Sequence, residues 1–290
     1  MRAESALDKI HQEHWHAELA LKFTRTDRGS RLSSCHHVGP LYVQKPFYPE
    51  GPNWAHVYPL HPPGGLVSGD RLEISIHAGA ASAALLTTPG AGRMYRARQG
   101  GDAQVQNVHI EVDTDAAVEW FPQESIVYDG ARVELETTVN LAPGAHFGAW
   151  EITCFGLPAS ASRFNDGSFR QRYAVFLDGR PVFIEQLKLT AADLPLLDSK
   201  VGLQGQPVAG FFLIGPVTAP STLTLDTLRA MIGAAGLQRE AALGLNGDFV
   251  LGRYLGSSAA QARKLFTDWW QVLRPLVMQR PASVPRIWYT

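Results

Sequence analysis

Alternation of apolar and polar residues is the feature that most limits what this chain can fold into. In residues 15–23 every second side chain is apolar, which is typical of a half-buried β-strand. The same period of two recurs around residues 72–76, 108–112, 133–141 and 173–189. No helical pattern separates these segments, so the sequence predicts a mainly β body rather than a βαβ fold.

Turn-forming residues divide these segments from one another. The chain of 290 residues contains 27 glycines and 19 prolines, which favours many short elements joined by turns. Asp178 and Gly179 lie between two apolar runs and predict a tight hairpin.

Two helices are predicted, both in the last third of the chain. In residues 221–236 the apolar positions Leu225, Leu228 and Ile232 follow helical spacing, with Gly236 as a candidate C-terminal cap. In residues 257–275 the apolar spacing is again helical. Ser257 or Ser258 is the expected N-cap and Pro275 the expected stop.

Composition restricts the function classes. The 26 basic and 27 acidic residues nearly cancel, which argues against nucleic acid or an anionic membrane as the main partner. The longest apolar run, residues 208–217, is about half the length that a membrane-spanning helix needs.

Two distant cysteines without CxxC spacing predict reduced thiols and a cytoplasmic location. We expect a single domain over residues 1–290, with residues 1–13 as a flexible N-terminal extension.

The segment "HPPGGLVSGDRLEISI", residues 61–76, places Gly64 and Gly69 at the glycine spacing of a phosphate-binding loop. That loop needs a lysine and a following helix, whereas here Asp70 and Arg71 are followed by a strand pattern. The sequence therefore predicts a turn that leads into a strand, not a nucleotide site.

Histidines offer possible metal ligands, since imidazole suits Ni²⁺, Cu²⁺ and Zn²⁺. Two groups of residues are candidates. The first is His11, His14 and His16, and the second is Cys35, His36 and His37. Ordinary surface positions explain these residues more simply than a metal site does. His61, Asp70 and His77 flank the glycine-rich turn, where they line a polar passage or serve as plain turn and strand residues.

The C-terminal end is rich in aromatic residues. On a helix, Trp269 and Trp270 point about 100° apart, so both are buried only if two faces of that helix are covered. The covering element is either the chain's own tail or a partner protein. Candidate partner-binding residues are Trp269, Trp270, Arg286 and Trp288.

Seven motifs in series resemble the urease accessory protein UreD family, called UreH in some bacteria. They are "GPLYVQKPFYPEG" (39–51), "HPPGGLVSGDRLEI" (61–74), "LLTTPGAGRMYRA" (85–97), "EWFPQESIVYDGA" (119–131), "WEI" (150–152), "RYLG" (253–256) and "PRIW" (285–288). Their order and spacing match the family over residues 13–290.

The resemblance implies a β-helical or stacked-sheet body with two helices and a scaffold without catalytic activity. Such a scaffold binds the urease apoprotein and recruits accessory proteins of the UreF family and of the UreG family, which are GTPases. No cofactor is bound permanently, but Ni²⁺ is in transit on its way to urease, along an internal passage. The acidic residues at matching positions are Asp70, Glu124, Asp129, Glu151 and Glu185.

Two alternatives from other functional classes stay open on the sequence alone. A free-standing nickel-storage protein would use the histidine-rich N-terminus. A β-fold hydrolase would need two carboxylates in one deep pocket, about 5–10 Å apart.

Overall fold

The computed structural model describes residues 15–217 and 222–289. The predicted N-terminal extension, with His11 and His14, lies outside the described residues. The strands are β1 His16–Thr26, β2 Gly29–Val38, β3 Tyr42–Val43, β4 Ala55–Val57, β5 Pro59–Leu60, β6 Arg71–Ala78, β7 Ala83–Leu86, β8 Gly92–Met94, β9 Gln104–Val112, β10 Ala117–Trp120, β11 Ser125–Val127, β12 Arg132–Leu141, β13 His146–Leu157, β14 Ser162–Arg163, β15 Ser168–Leu177, β16 Arg180–Leu189, β17 Val208–Gly215, β18 Ala241–Asn246 and β19 Phe249–Gly256. The helices are α1 Thr222–Ala234 and α2 Ala259–Met278, with short 3₁₀ turns at Pro158–Ser160, Leu194–Leu197 and Arg286–Tyr289.

The strands form two large sheets. The first sheet has the order β16-β15-β12-β9-β6-β1-β2, and the second sheet has β18-β19-β17-β13-β10-β7-β4 as its main path. The chain passes from the first sheet to the second at β6–β7, β9–β10 and β12–β13. Successive coils therefore stack in parallel, with Ile74 beside Val108 and Val118 beside Phe147. The β-rich, β-helical or stacked-sheet prediction with two C-terminal helices is confirmed.

Alternation decides which side chains enter the space between the sheets. The apolar residues that the period of two predicts to face inward on β6, β9 and β12 are all buried: Leu72, Ile74, Ile76, Val108, Ile110, Val112, Val133, Leu135, Val139 and Leu141. They belong to one apolar core, which we call the inner core. At the far end of the first sheet, Asp178 (φ +50°) and Gly179 (φ +71°) form the predicted hairpin between β15 and β16.

A second core, the outer core, lies between the other face of the second sheet and the two helices. Gly252 on β19 provides the space for this packing, because a Cβ there would lie 2.2 Å from Cζ3 of Trp269. Strand β13 is consequently buried on both faces: Trp150 enters the outer core and Phe147 the inner core.

Two of the predicted helix ends have the expected capping residues. Ser258 caps α2, since its side chain accepts a hydrogen bond from the Gln261 N–H at 3.3 Å. Gly236 ends α1 with φ +71°, and the Leu237 N–H donates to the Ile232 carbonyl.

The prediction that Pro275 stops the second helix is wrong. Helix α2 continues to Met278 with Pro275 inside it. Val277 and Met278 are buried in the outer core, and this burial offsets the hydrogen bond that the proline ring removes from the last turn.

Candidate functional site

A cavity opens between the two sheets where β15 and β16 face β13, β17 and β19. Glu151 on β13, Phe211 on β17 and Arg253 on β19 occupy one row across the second sheet. Paired residues in a sheet project from the same face, and Phe211 belongs to the inner core. The carboxylate of Glu151 and the guanidinium of Arg253 are therefore directed between the sheets.

The first sheet supplies the opposite wall. Gln171 and Tyr173 on β15 lie two and four residues after the inward-facing Phe169 and share its face, and Glu185 on β16 pairs with Tyr173. The resulting cavity has a volume of about 460 Å³. Polar side chains that line it include Glu151, Thr153, Gln171, Glu185, Gln238, Glu240 and Arg253. In this part of the sandwich the otherwise apolar interior carries charge.

Glu151 is partly buried where it faces the cavity. Its carboxylate oxygen accepts a hydrogen bond from the Gln171 side-chain amide at 3.3 Å. Burial raises the pKa of Glu151 from its usual 4.5 to about 8, so the group is mostly protonated at neutral pH. Burial, and then the nearby Glu151, also raise the pKa of the Tyr173 phenol, whose hydroxyl finds no partner among the described residues.

Glu185 and Arg253 lie nearer to solvent. Their side chains form a bidentate ion pair with both N···O distances at 2.7 Å. The hydrogen bonds to Glu185 raise the pKa of the Arg253 guanidinium. Sequence reasoning named both carboxylates through the family resemblance but missed Arg253, although it stands first in the quoted "RYLG" motif.

The other predicted acidic residues lie elsewhere and have partners. Both carboxylate oxygens of Asp70 accept backbone N–H groups, from Trp15 at 3.0 Å and Val67 at 2.8 Å, which ties β1 to the turn before β6. Glu124 accepts a hydrogen bond from Arg263 of α2 at 2.9 Å. Asp129 pairs with Arg96 and also accepts two backbone N–H groups. The structure thus brings only Glu151 and Glu185 of the five into one cavity, and a metal role for any of them stays a prediction.

The predicted partner-binding aromatics are mostly occupied within the chain. Trp269 and Trp270 are fully buried, so neither ring offers surface to a partner in this conformation. The tail covers Trp270: Trp288 packs against Trp150 and Trp270 with ring centroids 5.0 and 5.8 Å apart, and its Nε1 donates to Thr87 Oγ1 at 2.8 Å. Trp269 instead donates from Nε1 to the Leu228 carbonyl of α1 at 3.1 Å. Arg286 is exposed, and its partner role stays a prediction.

A buried ion network was missed by the sequence reasoning. Arg274 of α2 donates to Glu119 of β10 at 2.9–3.1 Å and to Glu50 at 2.7 and 2.8 Å. Trp270 Nε1 donates to Glu119 at 2.6 Å, and His56 Nε2 lies 2.7 Å from Glu50. The available signal was helical spacing, because Arg274 lies four residues after Trp270 and shares its buried face.

The histidines do not form a metal centre in the described part of the chain. His16 lies 3.5 Å from Glu18, His77 lies 3.0 Å from Asp113, and His61 Nε2 is buried without a partner there. Within residues 15–217 and 222–289, no three His, Cys, Asp or Glu side chains are grouped so as to hold a metal ion.

Comparison with known proteins decides the family. The family model described as UreD urease accessory protein matches residues 16–289. The chain belongs to the UreD family. The urease accessory protein UreD of Marinomonas sp. (strain MWYL1) is 40% identical over 291 residues, which cover 99% of this chain and 93% of that protein. That of Dechloromonas aromatica (strain RCB) is 41% identical over 282 residues, which cover 97% and 96%. That of Azoarcus sp. (strain BH72) is 40% identical over 292 residues, which cover 100% of both.

Family membership confirms the resemblance found in the motifs. It places the chain in urease maturation, in a family of accessory proteins rather than of enzymes. Neither helix that the structure describes is both long enough and apolar enough to cross a membrane.

Proposed function

We propose that this protein is a non-enzymatic scaffold that binds apo-urease, recruits UreF-family and UreG-family partners, and lets nickel pass through its interior to the urease active site. Family membership over residues 16–289 supports the accessory role. The cavity that holds Glu151 supports the internal passage.

The single observation that carries the passage is a carboxyl group at an interior strand position. Glu151 projects between the sheets into about 460 Å³ of space, beside Phe211 of the inner core. An ionisable group is costly at such a position unless it meets water or a counter-charge. A hydrated cation in transit supplies that charge, since Ni²⁺ accepts oxygen and nitrogen ligands.

The protonation state of Glu151 suits transient binding. At neutral pH the carboxyl holds its proton, because its pKa is about 8. An arriving cation displaces the proton, and the proton returns when the cation leaves. Such a ligand holds nickel weakly, as a cargo that must be released requires.

The proposal is tested in cells that express the urease operon. We expect Glu151→Gln to lower both urease activity and nickel per urease active site at limiting nickel, while the variant still co-purifies with urease and its partners. Glu136→Gln is the matched control, because Glu136 pairs with Arg172 at 2.9 Å on the outer face of the first sheet. Unchanged nickel loading with Glu151→Gln would remove the passage, and loss of co-purification would assign Glu151 to assembly instead.

The hydrolase alternative has one geometric point in its favour, since Glu151 and Glu185 line the same cavity. Glu185 is, however, held at both oxygens by Arg253. Family membership favours the accessory role over this alternative. The storage alternative depends on His11 and His14, which lie outside the described residues, and its test is loss of stoichiometric nickel binding when these residues and His16 are replaced.

A further inference from the structure

Hydrogen bonds donated by side chains join the two sheets at and beside the cavity. Arg253 of β19 reaches Glu185 of β16, and the Asn246 side-chain amide donates to the Val182 carbonyl at 2.8 Å. No backbone pairing connects β16 with β18 or β19. The Arg253–Glu185 pair can therefore break when the Arg253 side chain changes rotamer, without any strand leaving its sheet.

The ion pair lines the solvent-accessible part of the cavity into which Glu151 projects. Arg253 is half exposed and Glu185 about a quarter exposed, whereas Glu151 is desolvated strongly enough to raise its pKa. The guanidinium engages both oxygens of Glu185, so neither is free to coordinate a cation. Its positive charge also opposes the entry of a second cation into a space of low dielectric constant.

We propose that Arg253 is the gate of this cavity: paired with Glu185 it closes the mouth to divalent cations, and a cation enters only when the guanidinium leaves Glu185. The inference rests on the proposed nickel passage and assigns a positioning residue to it. Arg253 binds no metal itself. It acts by withholding Glu185, which lines the same cavity as Glu151 and Glu240.

The gate predicts a gain of binding when it is removed. Arg253→Met keeps the length of the side chain and removes its charge, which frees Glu185 beside Glu151. We expect the full-length variant to bind Ni²⁺ about tenfold more tightly than the unsubstituted protein, the change that follows when a bidentate charged pair stops competing for a carboxylate. Titration calorimetry with Ni²⁺ alone measures this difference, and nickel sites shared by all variants cancel in it.

Two further variants make the assignment specific. Adding Glu185→Gln to Arg253→Met must abolish the gained affinity. Arg172→Met is the matched control, because Arg172 pairs with a glutamate across neighbouring strands but on the outer face, at 2.9 Å. It must leave the nickel isotherm unchanged. If Arg253→Met does not fold, as judged by circular dichroism, Arg253→Gln replaces it in the same comparison.

An isotherm for Arg253→Met that matches the unsubstituted protein would overturn the gate, and so would a gain that survives Glu185→Gln. The two proposals fail separately. Loss of nickel loading in cells with Glu151→Gln, together with an unchanged Arg253→Met isotherm, keeps the passage and removes the gate. A Glu185-dependent gain in affinity, together with normal loading by Glu151→Gln, keeps Arg253 as the guard of a cation site and removes the passage.

Discussion

Replacing Glu151 by glutamine should change how the stability of the protein depends on pH. The folded protein holds the proton of this carboxyl up to about pH 8, whereas an unfolded glutamate loses it near 4.5. Between these values the native state binds one more proton than the unfolded state. The free energy of unfolding therefore falls as pH rises through this window.

The magnitude follows from the size of the shift. Each pKa unit corresponds to about 1.4 kcal/mol, so the contribution of Glu151 falls by about 2–4 kcal/mol between pH 5 and pH 8 once structural relaxation is allowed for. Glutamine is neutral at every pH, has nearly the same shape and retains the contact with Gln171. The variant should lack this part of the slope and gain stability relative to the parent as pH rises.

Urea unfolding at pH 5.5, 7.0 and 8.5 measures the effect as the difference in free energy between parent and variant. Every other titrating group contributes equally to both proteins and cancels. Glu136→Gln, on the outer face of the first sheet, is the matched control for replacing a glutamate outside the cavity. Parallel stability curves for the parent and Glu151→Gln across this range would refute the claim that the Glu151 carboxyl is buried and protonated.

Three further substitutions probe the packing. Gly252→Ala should cost about 1–3 kcal/mol in thermal unfolding, because the new Cβ meets the ring of Trp269. Arg274→Leu should cost about 3–5 kcal/mol in urea unfolding, because Glu119 is left buried without its counter-charge. Trp288→Ala should cost about 2 kcal/mol, since it removes one partly buried indole and its hydrogen bond.

Each of these has its own control and refutation. Gly244→Ala, where a Cβ meets nothing within 4 Å, should be nearly neutral, and an equal cost at both glycines would exclude the clash. Arg172→Leu removes an exposed ion pair and should cost less than 1 kcal/mol. A cost for Arg274→Leu no larger than this would show that the network is hydrated. Trp288→Phe should recover most of the packing, and a variant as unstable as alanine would assign the loss to the hydrogen bond.

The half-buried strands could be predicted from the sequence because their solvent-facing residues mark the period. The strand β13 could not be assigned a face in this way, since Trp150 and Phe147 are buried on opposite sides. Alternation also says nothing about which strands pair, so the parallel stacking of β6, β9 and β12 came only from the structure. The predicted helix end at Pro275 was wrong because burial of Val277 and Met278 outweighs the tendency of proline to end a helix.

The candidate site, too, could be predicted from the sequence only in part. Glu151 and Glu185 were named through the family resemblance, whereas their place in one cavity arises from two sheets whose strands are distant in sequence. Arg253 was not named, because an arginine in an amphipathic strand is typical of a solvent-exposed face. Asp70 was a reasonable candidate by sequence, but its two backbone hydrogen bonds depend on how β1 meets the turn before β6.

The network around Arg274 has a consequence for the order in which the protein is completed during synthesis. Glu50 and Glu119 leave the ribosome well before the last helix is made, so their charges must stay in contact with water until Arg274 arrives. The aromatic face of the second sheet likewise stays uncovered until α2 packs against it. The chain is therefore made from the N-terminus, but its outer core is complete only after the C-terminal helix α2 packs against the second sheet. A nascent chain that stalls before α2 presents this open face to chaperones and proteases.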